Sequence, residues 1–332
     1  MASIIESIAS QFGPDIVGKL GSALDTDPGA VSKGLGALGP LLLNGMSSLA
    51  STPAGADGLM KALPQDSGGL GDLLGGIFGG GGSAASGGGG GIMQSLLGPG
   101  INAVSASISR AVGFNVAPLM QVAVPAALGA VAKMVKERGL NATNIGSALA
   151  AEKQAYLDNP AHAESAALVR SALAAGDKAA IQIQGYGAEW PRVQAAPAAA
   201  LMLVATSDLS GPIGSIKEVR AASKAMADAA RQAPDPASLI GAAFGSGIDT
   251  ELLKLVRELA PSKDKLIDVV RAGASAVAAR DPAQSAAYKS ALLAVAQSTA
   301  EAAKEGGFLG IGGTLVSKDE QAAIDQLKAA LA

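Results

Sequence analysis

The chain has 332 residues, with 25 basic and 28 acidic side chains for a net charge of −3, no cysteine and one histidine. Without cysteine there are no disulfides, thiolate zinc sites, iron–sulfur clusters or cysteine nucleophiles, and His162 alone cannot build a histidine-rich metal site. Hydrophobic residues make up 49% of the chain and aromatics only 3%, so the core must be Ala, Leu, Ile and Val, a composition that suits closely apposed helices.

No block of like charge is present, and one Trp, three Tyr and five Phe are too few for a base-stacking platform, so no nucleic-acid partner is expected. The opening Met1-Ala2-Ser3-Ile4-Ile5-Glu6 has neither a basic start nor a long apolar run, and a cytoplasmic location is expected. Charge density shifts near the middle of the chain. Residues 1–150 hold 7 basic and 8 acidic side chains, whereas residues 151–332 hold 18 and 20. That shift predicts a Gly/Leu-rich helical domain over 1–150, a connecting helical segment over 151–194 and a helix bundle over 195–332.

Along the first domain, Gly13-Pro14-Asp15-Ile16-Val17-Gly18-Lys19 has the spacing of a phosphate loop. Leu20 stands where a Ser or Thr should ligate magnesium and no strand precedes it, so the segment reads as a helix terminus or turn. Gly34-Leu35-Gly36-Ala37-Leu38-Gly39 fits a dinucleotide fingerprint in letters only, again without a strand. Pro40 and Pro125 are expected to open or kink helices whose apolar faces include Leu41, Leu42, Leu49 and Leu59. The tract 79–91, made only of Gly, Ser and Ala, is expected to be a disordered linker. Sequences on its two sides are weakly alike: Leu38-Gly39-Pro40-Leu41-Leu42-Leu43 beside Val124-Pro125-Ala126-Ala127-Leu128-Gly129, and Gly58-Leu59-Met60 beside Asn144-Ile145-Gly146. Together they read as an internal duplication. The window 112–132 approaches membrane-span length, but Asn115, Pro118, Gln121 and Pro125 interrupt it, which favours a buried helix.

In the second half, Ser215-Ile216-Lys217-Glu218 and Ser317-Lys318-Asp319-Glu320 both fit a capping box, each leading into apolar residues at helical spacing. Further stripes run through Leu252, Leu253, Val256 and Leu259, and through Leu266, Ile267, Val270, Ala274 and Val277. Similar apolar segments, 200–205 and 291–296, precede the two boxes and suggest a second pseudo-repeat. No alternating strand appears, so the expected fold class is all-α.

Candidate sites are few. His162, between Asp158 and Glu164, is a lone base without a nucleophile and reads as a solvated residue at a helix start. Asp208, Glu218, Glu301, Glu305, Asp319 and Glu320 are the candidate oxygen ligands for a hard divalent cation, although the capping boxes already occupy Glu218 and Glu320. Trp190, in the aromatic segment 186–190, reads either as a partner anchor or as a plug at a domain junction.

Four segments resemble the YidB-like bacterial domain of unknown function: Gly36-Ala37-Leu38-Gly39-Pro40-Leu41-Leu42-Leu43, Thr52-Pro53-Ala54-Gly55-Ala56-Asp57-Gly58-Leu59, the run from Gly68 to Phe78, and the second proline helix after Ala111-Val112-Gly113-Phe114. The resemblance covers about 1–150. It implies a cytoplasmic helical protein that self-associates, and it transfers no catalytic residue. From about 195 onward, Ala205-Thr206-Ser207-Asp208-Leu209-Ser210-Gly211 followed by Glu218 resembles a copy of the TerB-like tellurite-resistance domain. The second copy lacks the loop aspartate, so the resemblance transfers only Asp208 and Glu218 as metal ligands.

The expected function is therefore non-enzymatic: a self-assembling scaffold, a homo-oligomer or polymer, joined by apolar strips at 41–43 and 122–131 and needing no cofactor. A TerB-like divalent-ion-binding stress protein is the second reading, and peripheral membrane contact through the Gly/Leu-rich half is the third.

Overall fold

The computed structural model describes residues 4–64, 96–207, 216–245, 247, 250–260, 262–303 and 316–332, and among these the fold is all-α with no strand. The expected linker 79–91 lies outside the described residues. The chain divides into two compact units, residues 1–101 with 107–174, and residues 102–106 with 175–332.

The first unit contains α1 (Ile4–Gln11), α2 (Pro14–Leu24), α3 (Pro28–Leu49), α4 (Pro53–Ala62), α5 (Ile101–Val112), α6 (Ala117–Arg138), α7 (Ile145–Leu157) and the start of α8 (Ala163–Tyr186). The unit division thus falls inside α5 and α8, whereas the shift in charge density lies near 150, within α7. Two helix starts, those of α3 and α4, follow a simple rule. Asp27 Oδ1 accepts from the amides of Gly29 and Ala30 at 2.7 and 3.3 Å, and Thr52 Oγ1 accepts from that of Gly55 at 3.1 Å. Each cap is followed by a proline in the first turn, where no amide bond is lost.

Helices α2, α3 and α4 have 11, 22 and 10 residues, and α5, α6 and α7 have 12, 22 and 13. The short–long–short triplet occurs twice, each long helix carrying an internal proline, Pro40 in α3 and Pro125 in α6. Neither proline opens its helix, contrary to one expectation. Proline cannot donate to the carbonyl four residues earlier. Here those residues, Gly36 and Gln121, stand at exposed positions, so the freed acceptors are not sealed in the core. Helix α6 is long and apolar enough to cross a membrane by length and composition, but most of it is buried inside the unit. The strips expected to join copies are consumed in the same way. Leu41, Leu42 and Leu43 are wholly buried, and Val122, Val124 and Val131 are buried too, because this unit needs them for its own core.

The second unit contains α9 (Trp190–Ala205), α10 (Ile216–Gln232), α11 (Leu239–Phe244), α12 (Thr250–Leu259), α13 (Lys263–Arg280), α14 (Pro282–Ala303) and α15 (Lys318–Leu331). A helix that is apolar on every side must be surrounded. Accordingly α9 packs against α12, α13, α14 and α15, with Val193 through Val204 buried except for the partly accessible Gln194. Small residues set the spacing: a Cβ on Gly273 of α13 would lie 2.8 Å from the Arg192 carbonyl oxygen and 3.1 Å from Ala196 Cβ, so glycine is required for this approach. The capping box at Ser317 is formed, with Ser317 N–H donating to Glu320 Oε2 at 2.7 Å and Glu320 N–H donating to Ser317 Oγ at 3.2 Å. The matching box at Ser215 lies outside the described residues.

Pro197 sits inside α9 and deprives the Val193 carbonyl of its helical donor. Val193 is wholly buried, so no water replaces it. Instead the hydroxyl of Tyr288 on α14, itself wholly buried, donates to the Val193 oxygen at 2.6 Å. The Tyr288 ring meets Phe244 edge-on at 5.7 Å between centroids, which fixes the hydroxyl's direction.

Candidate functional site

The two triplets of the first unit pack on one another through α3, which lies against both α6 and α7. On the α3–α7 seam the helices run antiparallel. At one end Gly146 meets the end of α3, where a Cβ would lie only 2.4 Å from the Ala50 carbonyl oxygen. So near an approach by a carbonyl oxygen leaves room for a hydrogen and nothing larger, and Gly146 therefore sets the closeness of the seam.

Toward the other end the helices part around a pocket of about 120 Å³. Its apolar walls include Pro40 and Leu43 of α3, Tyr156 of α7, and Val169 and Leu173 of α8. The polar groups lining it are Asn44, Lys153 and Arg170. Tyr156 is held on two sides: its hydroxyl shares a hydrogen bond with Ser165 Oγ at 2.6 Å, and its ring stacks on His162 with centroids 4.4 Å apart and planes 11° from parallel. Beside the pocket, Glu152 accepts from Arg138 Nη2 at 2.7 Å through one oxygen and from the Ile4 amide at 3.2 Å through the other. That carboxylate ties α7 to the end of α6 and to the positive N-terminus of α1.

The residues singled out in the sequence fall elsewhere. Gly13 is the cap of α2, its carbonyl accepting from Ile16 and Val17, and the element before it is a helix. The segment 34–39 is the interior of α3. His162 closes a single 3-10 turn, Pro160–His162, and is half-buried under the Tyr156 ring rather than fully solvated. Asp208 and Glu305 lie outside the described residues. Glu218 is in the first turn of α10, and its side chain also lies outside them. Glu301 accepts from Gln297 Nε2 at 2.9 Å, Asp319 is exposed, and Glu320 is buried in its capping box. Among the described residues no group of three or more His, Asp or Glu comes together as a metal site.

Trp190 begins α9 and packs, half-buried, against the main apolar core of the second unit and against the smaller cluster of Ala103, Ala179, Ile183 and Ala242. Tyr186 lies 5.8 Å from it, with the Arg280 guanidinium 6.0 Å from the Tyr186 ring centre, and Arg280 pairs with Glu189. Burial, followed by the nearby Asp281 carboxylate, pushes the Tyr186 hydroxyl up to about 12; Arg280 opposes the shift and Glu189 adds to it. Burial likewise raises Tyr288 well above the ordinary tyrosine range, with the Tyr186 charge adding to it.

Sequence reasoning passes over Lys153 and Arg170, and also Tyr288. The tyrosine leaves a faint signal, as one of only three in the chain alongside a proline in an otherwise helical apolar run. The two cations leave none, since their pocket partners Pro40 and Leu43 lie far away in sequence.

Residues 6–134 match a family described as bacterial protein of unknown function (DUF937), a span that reaches from α1 to near the end of α6 and so takes in most of both triplets. No match was found among curated proteins or among solved structures.

Proposed function

We propose that this is a non-enzymatic cytoplasmic protein that acts by self-association, as a scaffold in a bacterial stress or envelope-associated system. The observation that carries the reading is the packing of one helix triplet on the other, α3 against α6 and α7. A unit whose two halves recognise each other within one chain has a surface chemistry suited to recognising the same halves in another chain. Apposition set by small residues, as at Gly146 against Ala50, makes such a contact rigid and shape-specific rather than greasy.

The joining surface is not the pair of strips at 41–43 and 122–131, which are buried in the unit. Among the described residues the one large apolar side chain left exposed is Ile181. The contact therefore uses helix faces exchanged between chains, and not a standing apolar patch. Size-exclusion chromatography with light scattering over a wide concentration range tests this. A mass that is a multiple of the single chain is expected, and a strict monomer at every concentration refutes it.

For the second unit, we read residues 195–332 as a divergent TerB-like bundle, supported by the parallel between α9 leading to α10 and α14 leading to the capped α15. Calorimetric titration with calcium or magnesium, repeated on Asp208→Ala, tests the ion-binding role that this resemblance implies.

A further inference from the structure

We infer that the pocket on the α3–α7 seam binds a small anionic amphiphile, a carboxylate of about six carbons in all. Three observations converge on this class. The first is size: the pocket measures about 120 Å³, close to the cavity of about 150 Å³ that accommodates benzene in a well-studied protein core. That volume admits a short alkyl or aryl body and excludes the long acyl chain of a membrane lipid.

The second is the lining. Leu43 and Val169 are buried and Tyr156 is clamped by Ser165 and His162, so the walls are apolar and fixed before any ligand arrives. Preformed walls remove the ordering cost that a collapsing site would impose.

The third is charge. Lys153 and Arg170 both line the pocket, and among the described residues neither has an acidic partner. The nearest carboxylate in sequence, Glu152, is committed to Arg138 and the Ile4 amide. Two cations, one of them a planar guanidinium suited to bidentate contact, match a carboxylate head, and the Asn44 side-chain amide adds a donor. The bland alternative is that the aliphatic stems of Lys153 and Arg170 merely cover apolar surface while their charges stay in water. The two readings differ in what a neutral ligand should do.

The test is calorimetry on the full chain with hexanoate, and with hexanol as its neutral counterpart. Saturable hexanoate binding is expected, tighter than hexanol by about tenfold or more. The double variant Lys153→Gln/Arg170→Gln should remove that difference while leaving the weaker hexanol binding in place, and Leu173→Trp, which fills the half-exposed wall, should abolish both. Thermal unfolding of each variant confirms that it folds; if the tryptophan variant does not, the double variant carries the test alone. Equal affinity for hexanol and hexanoate, no saturable heat with hexanoate, or unchanged discrimination in the double variant would overturn the assignment. So would co-sedimentation with phosphatidylglycerol vesicles that the double variant abolishes, because it would transfer the head group to a membrane lipid.

Discussion

Both units bury apolar helices that contain an internal proline, yet they dispose of the orphaned carbonyl in opposite ways. In the first unit the affected residues, Gly36 and Gln121, stand at the surface, within reach of solvent where Pro40 and Pro125 leave the bonding unfinished. In the second, Pro197 interrupts a helix that is surrounded on all sides, and a wholly buried tyrosine from another helix supplies the missing donor. A helix-interior proline is thus tolerated by location in one unit and by a dedicated partner in the other. The second solution couples two distant positions in sequence, whereas the first couples none.

That contrast can be broken most sharply at Tyr288. Tyr288→Phe keeps the ring but strands the buried Val193 oxygen, and should cost about 2 kcal/mol in chemical denaturation. Pro197→Ala returns an amide to the same oxygen, so adding it to Tyr288→Phe should recover much of that loss. A double-mutant cycle with no coupling would show that the hydroxyl is not standing in for the helical donor. A smaller effect is expected in the first unit. Pro125→Ala restores a helical bond at a surface position and should raise stability by about 1 kcal/mol, without coupling to any tyrosine. A much larger gain there would mean that the Gln121 carbonyl is not vented to solvent.

The most specific effect is alkaline. The Tyr186 hydroxyl is raised from its ordinary 10 to about 12, so the folded state resists its ionisation. The unfolded chain releases this proton first. The contribution is therefore fully present below pH 10 and is lost as pH rises through 10 toward 12, so folding stability should fall across that window. Tyr186→Phe should flatten part of the decline, with the share due to Tyr288 remaining. An unchanged alkaline slope in Tyr186→Phe would contradict its burial.

Local chemistry explains which features can be read in advance. The capping box at Ser317 rests on residues a few positions apart and the structure realises it, whereas Pro40 and Pro125, expected to open or kink helices, lie inside α3 and α6. The expected split near 150 cuts through α7, because composition does not register that this helix completes a triplet begun at α5. The apolar strips at 41–43 and 122–131 are visible as hydrophobic runs, but nothing local says whether a second copy or the same chain will cover them. The pocket is invisible for the same reason: its cations come from α7 and α8 and its walls partly from α3, and only tertiary packing brings them together.

One further consequence follows from the placement of Trp190. It is the single tryptophan of the chain, it belongs to the second unit, and it touches both apolar clusters there. Its emission therefore reports the melting of that unit alone, while far-ultraviolet ellipticity sums the helices of both. A denaturation experiment followed by the two optical signals at once needs no label to reveal whether the halves of this chain come apart together or one after the other.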